Sequence, residues 1–256
     1  MTAGPASADA LDALIEGQLR CAWVEREAWP TTRAPAPAAD PVTIVVPVHN
    51  GLALARRCLD ALLAHTGSGH RIVVVDDAST DPGVSAWLDG LAGSRPNLEV
   101  RRNPRNLGYL ATANELLACL PGDIVLLNSD TEVAPGWLDA LARVARRPGV
   151  GIACPVTDQA GPLGVFADVP DRDLESCAAR ARATAGPGPV ALPVAVGFCM
   201  YLRRPMLNAV GLFDVAFSPG YGEENELSMR AWRAGFAVMG CPDALVLHAG
   251  GASFGD

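Results

Sequence analysis

Lysine is absent from this chain of 256 residues. All 20 basic side chains are arginine, against 28 acidic ones, for a net charge of −8. That balance excludes an ordinary nucleic-acid binder, which carries a basic face. The missing lysine itself fits the habit of a GC-rich genome and carries no functional weight. Paired cysteines are also missing. The seven cysteines (Cys21, Cys58, Cys119, Cys154, Cys177, Cys199 and Cys241) are scattered, odd in number and without a Cys-x-x-Cys pair. This argues against a disulfide framework or a zinc ribbon and for buried thiols in a reducing compartment. Long apolar runs are lacking too. The longest, PVALPVAVGFCMYL, is too short for a membrane span and carries Pro193. No basic stretch followed by an apolar one opens the chain, so we expect no signal peptide and a cytoplasmic location, compatible with peripheral contact at the inner membrane face.

What is present is apolar and periodic: half of the residues are hydrophobic, enough for a sizeable core. In residues 1–40, Leu11, Leu14, Ile15, Leu19, Ala22 and Trp23 recur at helical spacing, and PTTRAPAPAADP follows as a Pro/Ala linker. We expect that helix to pack on its own domain; the alternative is a second copy, in a homodimer. From residue 41 to residue 256 we expect one domain. Apolar runs (TIVVPV, RIVVVDD, LEVRR, DIVLLN, GIACPV) alternate with helical stretches (LALARRCLDALLAH, VSAWLDGLA, LGYLATANELLACL, GWLDALARVARR). Such alternation predicts an α/β fold with a mainly parallel sheet flanked by helices, and a ligand edge at the C-terminal ends of the strands. Residues 156–190 read as loop with one helix near DLESCAARARA. A long strand over PVAVGFCMYLRR, a helix over ENELSMRAWRAG and a strand near ALVLHAG complete the pattern.

Three strand tips fall on the predicted ligand edge: Pro47, His49 and Asn50; Asp76 and Asp77; Asn128, Ser129 and Asp130. Asp81, just before Pro82, is best read as a helix cap. For Asp76 and Asp77, spacing leaves capping and ligand binding equally open. Asp130 and Glu132 put two carboxylates beside an apolar strand, where an unpaired anion needs a partner such as a divalent cation. Glu223, Glu224 and Glu226 suit the first turn of a helix, where the macrodipole favours anions. Gly220, Tyr221 and Gly222 just before them read as a shaped approach. His248 follows a strand in a glycine-rich segment, whose backbone could approach a phosphate closely.

Taken together, VTIVVPVHNG, VVVDDASTD, NPRNLGYLATANELL, DIVLLNSDTEVAPGWL, VGFCMYLRRPMLNAVGLFD, GYGEENELSMRAWRAG and VLHAGGASFG resemble, in that order, the family 2 glycosyltransferases of GT-A fold, in the rhamnosyltransferase-like subgroup. The resemblance spans Val42 to Phe254. It implies a nucleotide-binding half joined to an acceptor-side half, and a bacterial inverting hexosyltransferase. The implied donor is a UDP- or dTDP-sugar and the implied cofactor Mg²⁺ or Mn²⁺. It makes Asp76 and Asp77 contacts of the base or ribose, and Pro47, His49 and Asn50 the loop beneath the nucleotide. Asn106 and Gly108 become an Asn-x-Gly element near the donor, and Asn128-Ser129-Asp130 the DxD motif with its first Asp replaced. Asp130 and His248 become metal ligands, Glu224 the catalytic base, and Glu223 and Glu226 supporting residues. It leaves the acceptor open among a glycan, a lipid-linked sugar, a natural product and a protein, with Phe198, Phe217 and Tyr221 shaping its site unless they belong to the core, the better reading for Phe198.

Rival chemistries fit less well. A nicotinamide enzyme needs Gly-x-Gly-x-x-Gly after the first strand, where this chain has HNGLALA. A haloacid-dehalogenase-type phosphatase would need a nucleophilic Asp where Asn128 stands. A non-catalytic glycosyltransferase-like module for a nucleotide or protein partner remains the alternative.

Overall fold

The computed structural model describes residues 41–158, 163–164, 174–184 and 188–250. The helix expected within residues 1–40 lies outside them.

Four strands form as the apolar runs predict: β1 (Thr43–Val48), β2 (Arg71–Asp76), β3 (Leu98–Arg102) and β4 (Ile124–Leu127). They pair in parallel in the order β3-β2-β1-β4. Between them run α1 (Leu52–His65), α2 (Pro82–Leu91) and α3 (Tyr109–Cys119). Asp81 caps α2, its side chain accepting from the Gly83 amide at 2.8 Å, with Pro82 in the first helical position. The second half of the chain adds β5 (Thr131–Val133), α4 (Trp137–Ala145), β6 (Val150–Val156), α5 (Leu174–Thr184), β7 (Val190–Ala191), β8 (Cys199–Leu202), α6 (Arg204–Val210), α7 (Glu223–Arg233) and β9 (Ala237–His248).

The sheet continues β4-β8-β6-β9-β5, with β7 beside β9. Here parallel pairing gives way to a mixed pattern. β8 lies antiparallel between β4 and β6, and β5 and β7 lie antiparallel to β9, while β6 and β9 are parallel. The run expected as one long strand over 193–204 yields only β8, with β7 just before it. Pro193, without an amide proton, falls between them. β9 is longer than its sequence suggested and carries the chain from the far edge to the ligand edge.

All residues of β4, β6 and β8 are buried, as strands covered on both faces should be. Of the six described cysteines, all but Cys119 are buried. Burial pushes the Cys58 and Cys154 thiols up to about 12, so they are packing groups rather than nucleophiles. Among the described residues, no helix is long and apolar enough to cross a membrane.

Candidate active site

β1, β2 and β4 run in parallel register, so their C-terminal tips share one edge. Val48 pairs with Asp76, and Val45 with Leu126. Residues 49–50, 76–81 and 128–130 extend from these tips.

On the β1–β2 side, polar groups order one another. The Asn50 side-chain oxygen accepts from the amides of Thr80 (2.8 Å) and Asp81 (3.0 Å), which orients its amide group. His49 Nδ1 lies 2.9 Å from the Asp77 carbonyl oxygen and must donate. Its Nε2 lies 3.2 Å from the side-chain nitrogens of both Asn50 and Asn106 and must accept. The tautomer is thus set by neighbours, and the exposed imidazole is a fixed platform. Pro47 sits half-buried within β1, paired with Val75.

Asp76 and Asp77 do not face the ligand edge as expected. Asp76 is 0% exposed. Its carboxylate accepts from the Ser79 amide (2.8 Å), the Ser85 hydroxyl (2.8 Å) and Arg102 Nε (2.9 Å). Burial raises its pKa, but the hydrogen bonds from Ser79, Ser85 and Arg102 outweigh burial and hold it below the ordinary value. Asp77, also buried, accepts from Asn103 Nδ2 (2.7 Å) and from the amides of Leu107 and Gly108 (both 2.9 Å). It braces the loop that presents Asn106, where Gly108 takes a φ of +84° costly to any residue with a Cβ. Both aspartates are internal struts, because the groups that bind them come from β3, α2 and the β3–α3 loop. Glu226 is likewise structural: both its oxygens receive Arg230 at 2.6 Å, and that guanidinium also donates to the Val210 and Leu212 carbonyls.

The other side of the edge gathers unsatisfied groups. Asp130 is 5% exposed, and neither carboxylate oxygen has a hydrogen-bond partner. Oδ1 lies 3.3 Å from His248 Nε2, an ion pair only when the ring is protonated. β5 and β9 bring the two together, since Thr131 pairs with His248 and the Ala249 amide donates to the Asp130 carbonyl at 2.9 Å. The His248 ring stacks on Phe198, with centroids 5.1 Å apart, and Phe198 O accepts from the Asn128 amide at 2.9 Å. Phe198 therefore belongs to the core, as expected, while also backing the imidazole. Just before it, Gly197 faces the start of α7. A Cβ there would lie 3.9 Å from Glu223 Oε1 and from Glu224 Cδ. The Glu224 carboxylate accepts from the Gly222 amide at 3.1 Å, while Glu223 is buried with Oε2 unpartnered.

Two residues here went unread in the sequence. The Tyr109 hydroxyl, at the start of α3, is buried without a partner. Burial, followed by the charges of Glu223, Glu224 and, more weakly, Asp130, drives its pKa up. Its one signal is its place directly after Asn-x-Gly. Asp158 accepts from the His248 amide at 2.9 Å and gives no local signal at all. Of the six buried side-chain polar atoms without a hydrogen bond among the described residues, five belong to Tyr109, Asn128, Asp130 and Glu223; the sixth, Arg203 Nε, is ion-paired to Asp123. Such groups are ordinarily satisfied, so their concentration at one edge marks a place for ligand or water.

The sequence profile described as Glycosyl transferase family 2 matches residues 43–211. The chain belongs to that family. Curated relatives include the pre-mycofactocin glycosyltransferase of Mycobacterium tuberculosis, 29% identical over 85% of this chain and 45% of its own length. The O-antigen biosynthesis protein RfbC of Myxococcus xanthus is 29% identical over 86% of this chain and 18% of its own. This family member thus spans under half the length of both. Its fold matches GT-A glycosyltransferase structures. GalNAc-T7 with UDP, GalNAc and Mn²⁺ has a TM-score of 0.67 at 18% identity, covering 97% of this chain and 53% of that one. The mannosyltransferase PcManGT from Pyrobaculum calidifontis with GDP-Man and Mn²⁺ scores 0.65 at 22% identity, covering 94% and 66%.

Proposed function

We infer that the chain is a metal-assisted inverting glycosyltransferase that moves a sugar from a nucleotide-diphosphate donor to an acceptor hydroxyl. The observation that carries this reading is Asp130 beside His248, with the Asp130 carboxylate free of hydrogen-bond donors, while the start of α7 faces Gly197, directly before the Phe198 that backs the His248 ring.

Asp130 and His248 fit a hard or borderline cation: two buried anionic oxygens and one imidazole nitrogen within 3.3 Å. Among the described residues no third His, Cys, Asp or Glu joins them, so donor phosphate oxygens would complete the shell. Mg²⁺ or Mn²⁺ there supplies Lewis-acid neutralisation of the charge that builds on the departing diphosphate. Asn128 and Ser129, next to Asp130, would contact the diphosphate. His49, Asn50 and the Asn106–Gly108 segment form the nucleotide platform, with Asp77 bracing it. Glu224, half-buried and oriented by the Gly222 amide, takes the acceptor proton as the hydroxyl attacks opposite the leaving group.

Family habit, rather than any one motif, points to a UDP- or dTDP-sugar donor, and the resemblance to the rhamnosyltransferase-like subgroup points to hexosyl transfer. The neighbours were solved with UDP and with GDP-Man, so fold alone leaves the base open. The test is Glu224→Gln. We expect unchanged nucleotide binding by calorimetry and transfer slowed by about 100- to 10,000-fold. Near-full turnover would remove Glu224 from the role of base.

A further inference from the structure

The two carboxyls that open α7 sit in different surroundings. Glu223 is 6% exposed, with Oε2 buried and unpartnered. Glu224 is half-buried, and its Oε2 accepts from the Gly222 amide at 3.1 Å. A Cβ on Gly197 would lie 3.9 Å from both Glu223 Oε1 and Glu224 Cδ, so the two carboxyls border the same point. An anionic oxygen buried there without a donor is costly, and a proton on Glu223 removes that cost.

We propose that Glu223 keeps its proton while Glu224 carries the charge, so that Glu223 is a positioning residue presenting the base as one half of an acid–carboxylate pair. This deepens the reading above and rests on it. Two adjacent carboxylates in a water-poor pocket do not both ionise; the better-solvated one takes the charge and the buried one stays neutral. The groups around the pair reinforce this. They are the Tyr109 hydroxyl on α3, Asp130 beyond it at the tip of β4, the buried thiol of Cys154 on β6, and the backbone at Tyr221. None of these is cationic. Burial, joined by the charge of Glu224, raises the Glu223 pKa, against a smaller lowering by backbone amides.

The proton count follows. In the resting pair there is one proton, on Glu223, and one negative charge, on Glu224. As the acceptor oxygen bonds to the anomeric carbon and the bond to the diphosphate breaks, the acceptor proton passes to Glu224. The pair becomes neutral, the charge leaves with the diphosphate, and the Glu223 proton never moves away.

Glu223→Gln tests this, because glutamine reproduces a protonated carboxyl but not an ionised one. We expect it to lose far less kcat than Glu224→Gln, which falls by about 100-fold or more. The alkaline fall in kcat caused by ionising Glu223 should disappear in Glu223→Gln. Infrared titration should show a protonated carboxyl persisting above the ordinary glutamate range in the parent and in Glu224→Gln, and absent from Glu223→Gln. A folded Glu223→Gln protein as inactive as Glu224→Gln, or a carboxyl band unchanged by Glu223→Gln, would overturn the proposal. If the parent transferred no sugar at all, the enzymatic reading would fail, while the infrared measurement would still decide where the proton resides.

Discussion

Asp76 and Asp130 are both buried aspartates at strand tips, and their surroundings separate them. The Asp76 carboxylate receives an amide, a hydroxyl and a guanidinium; the Asp130 carboxylate receives no hydrogen bond. One stabilises the protein; the other, in the function proposed above, meets the ligand. Because the folded-state pKa of Asp76 lies below its ordinary 3.8, its contribution is present above that value and is lost as pH falls through the lowered one. Denaturant unfolding of Asp76→Asn should show a deficit of roughly 1–3 kcal/mol near neutral pH, shrinking towards zero in acid. A deficit independent of pH would mean that the charge of Asp76 contributes nothing. Sequence could not tell the two aspartates apart, since the partners of Asp76 arrive from Ser85 and Arg102, on other elements. Asp81 was legible because its partner is two residues away.

At the scale of elements, most of the fold could be read in advance. Periodicity located β1 to β4, β6 and the helices between them, since each is a short uninterrupted pattern with glycine or proline at its ends. What periodicity missed depends on pairing. The 193–204 run shrinks to β8, which enters antiparallel between two strands, and β9 extends because it serves β6, β7 and β5 in turn. Glu226 looked like part of the site because it shares a helical turn with Glu223 and Glu224, but its place on the helix turns it to Arg230. The β3–α3 loop is held as a unit by Asp77. In Asp77→Ala, the Leu107 and Gly108 amides should exchange with solvent at least about tenfold faster, because each loses a charge-assisted bond contributing about 1.5–3 kcal/mol. Nucleotide affinity should fall with them. Unchanged exchange would show the loop to be ordered by its backbone alone.

At the scale of the molecule, a parallel half carries the proposed nucleotide platform and a mixed half carries His248 and α7. Seven motifs in order made this arrangement legible as a family resemblance, although none of them alone specifies that His248 lies beside Asp130. That adjacency comes from β9 crossing to pair with β5, a contact between residues more than a hundred positions apart. The central claim is that Asp130 and His248 hold a cation-bridged diphosphate. Calorimetric titration of UDP, dTDP and GDP, with Mn²⁺ and with chelator, into the parent chain and Asp130→Ala tests it most directly. The account predicts that one nucleotide binds the parent only when Mn²⁺ is present, and that Asp130→Ala loses that dependence together with the affinity. Equal binding in chelator, or in Asp130→Ala with Mn²⁺, would contradict it.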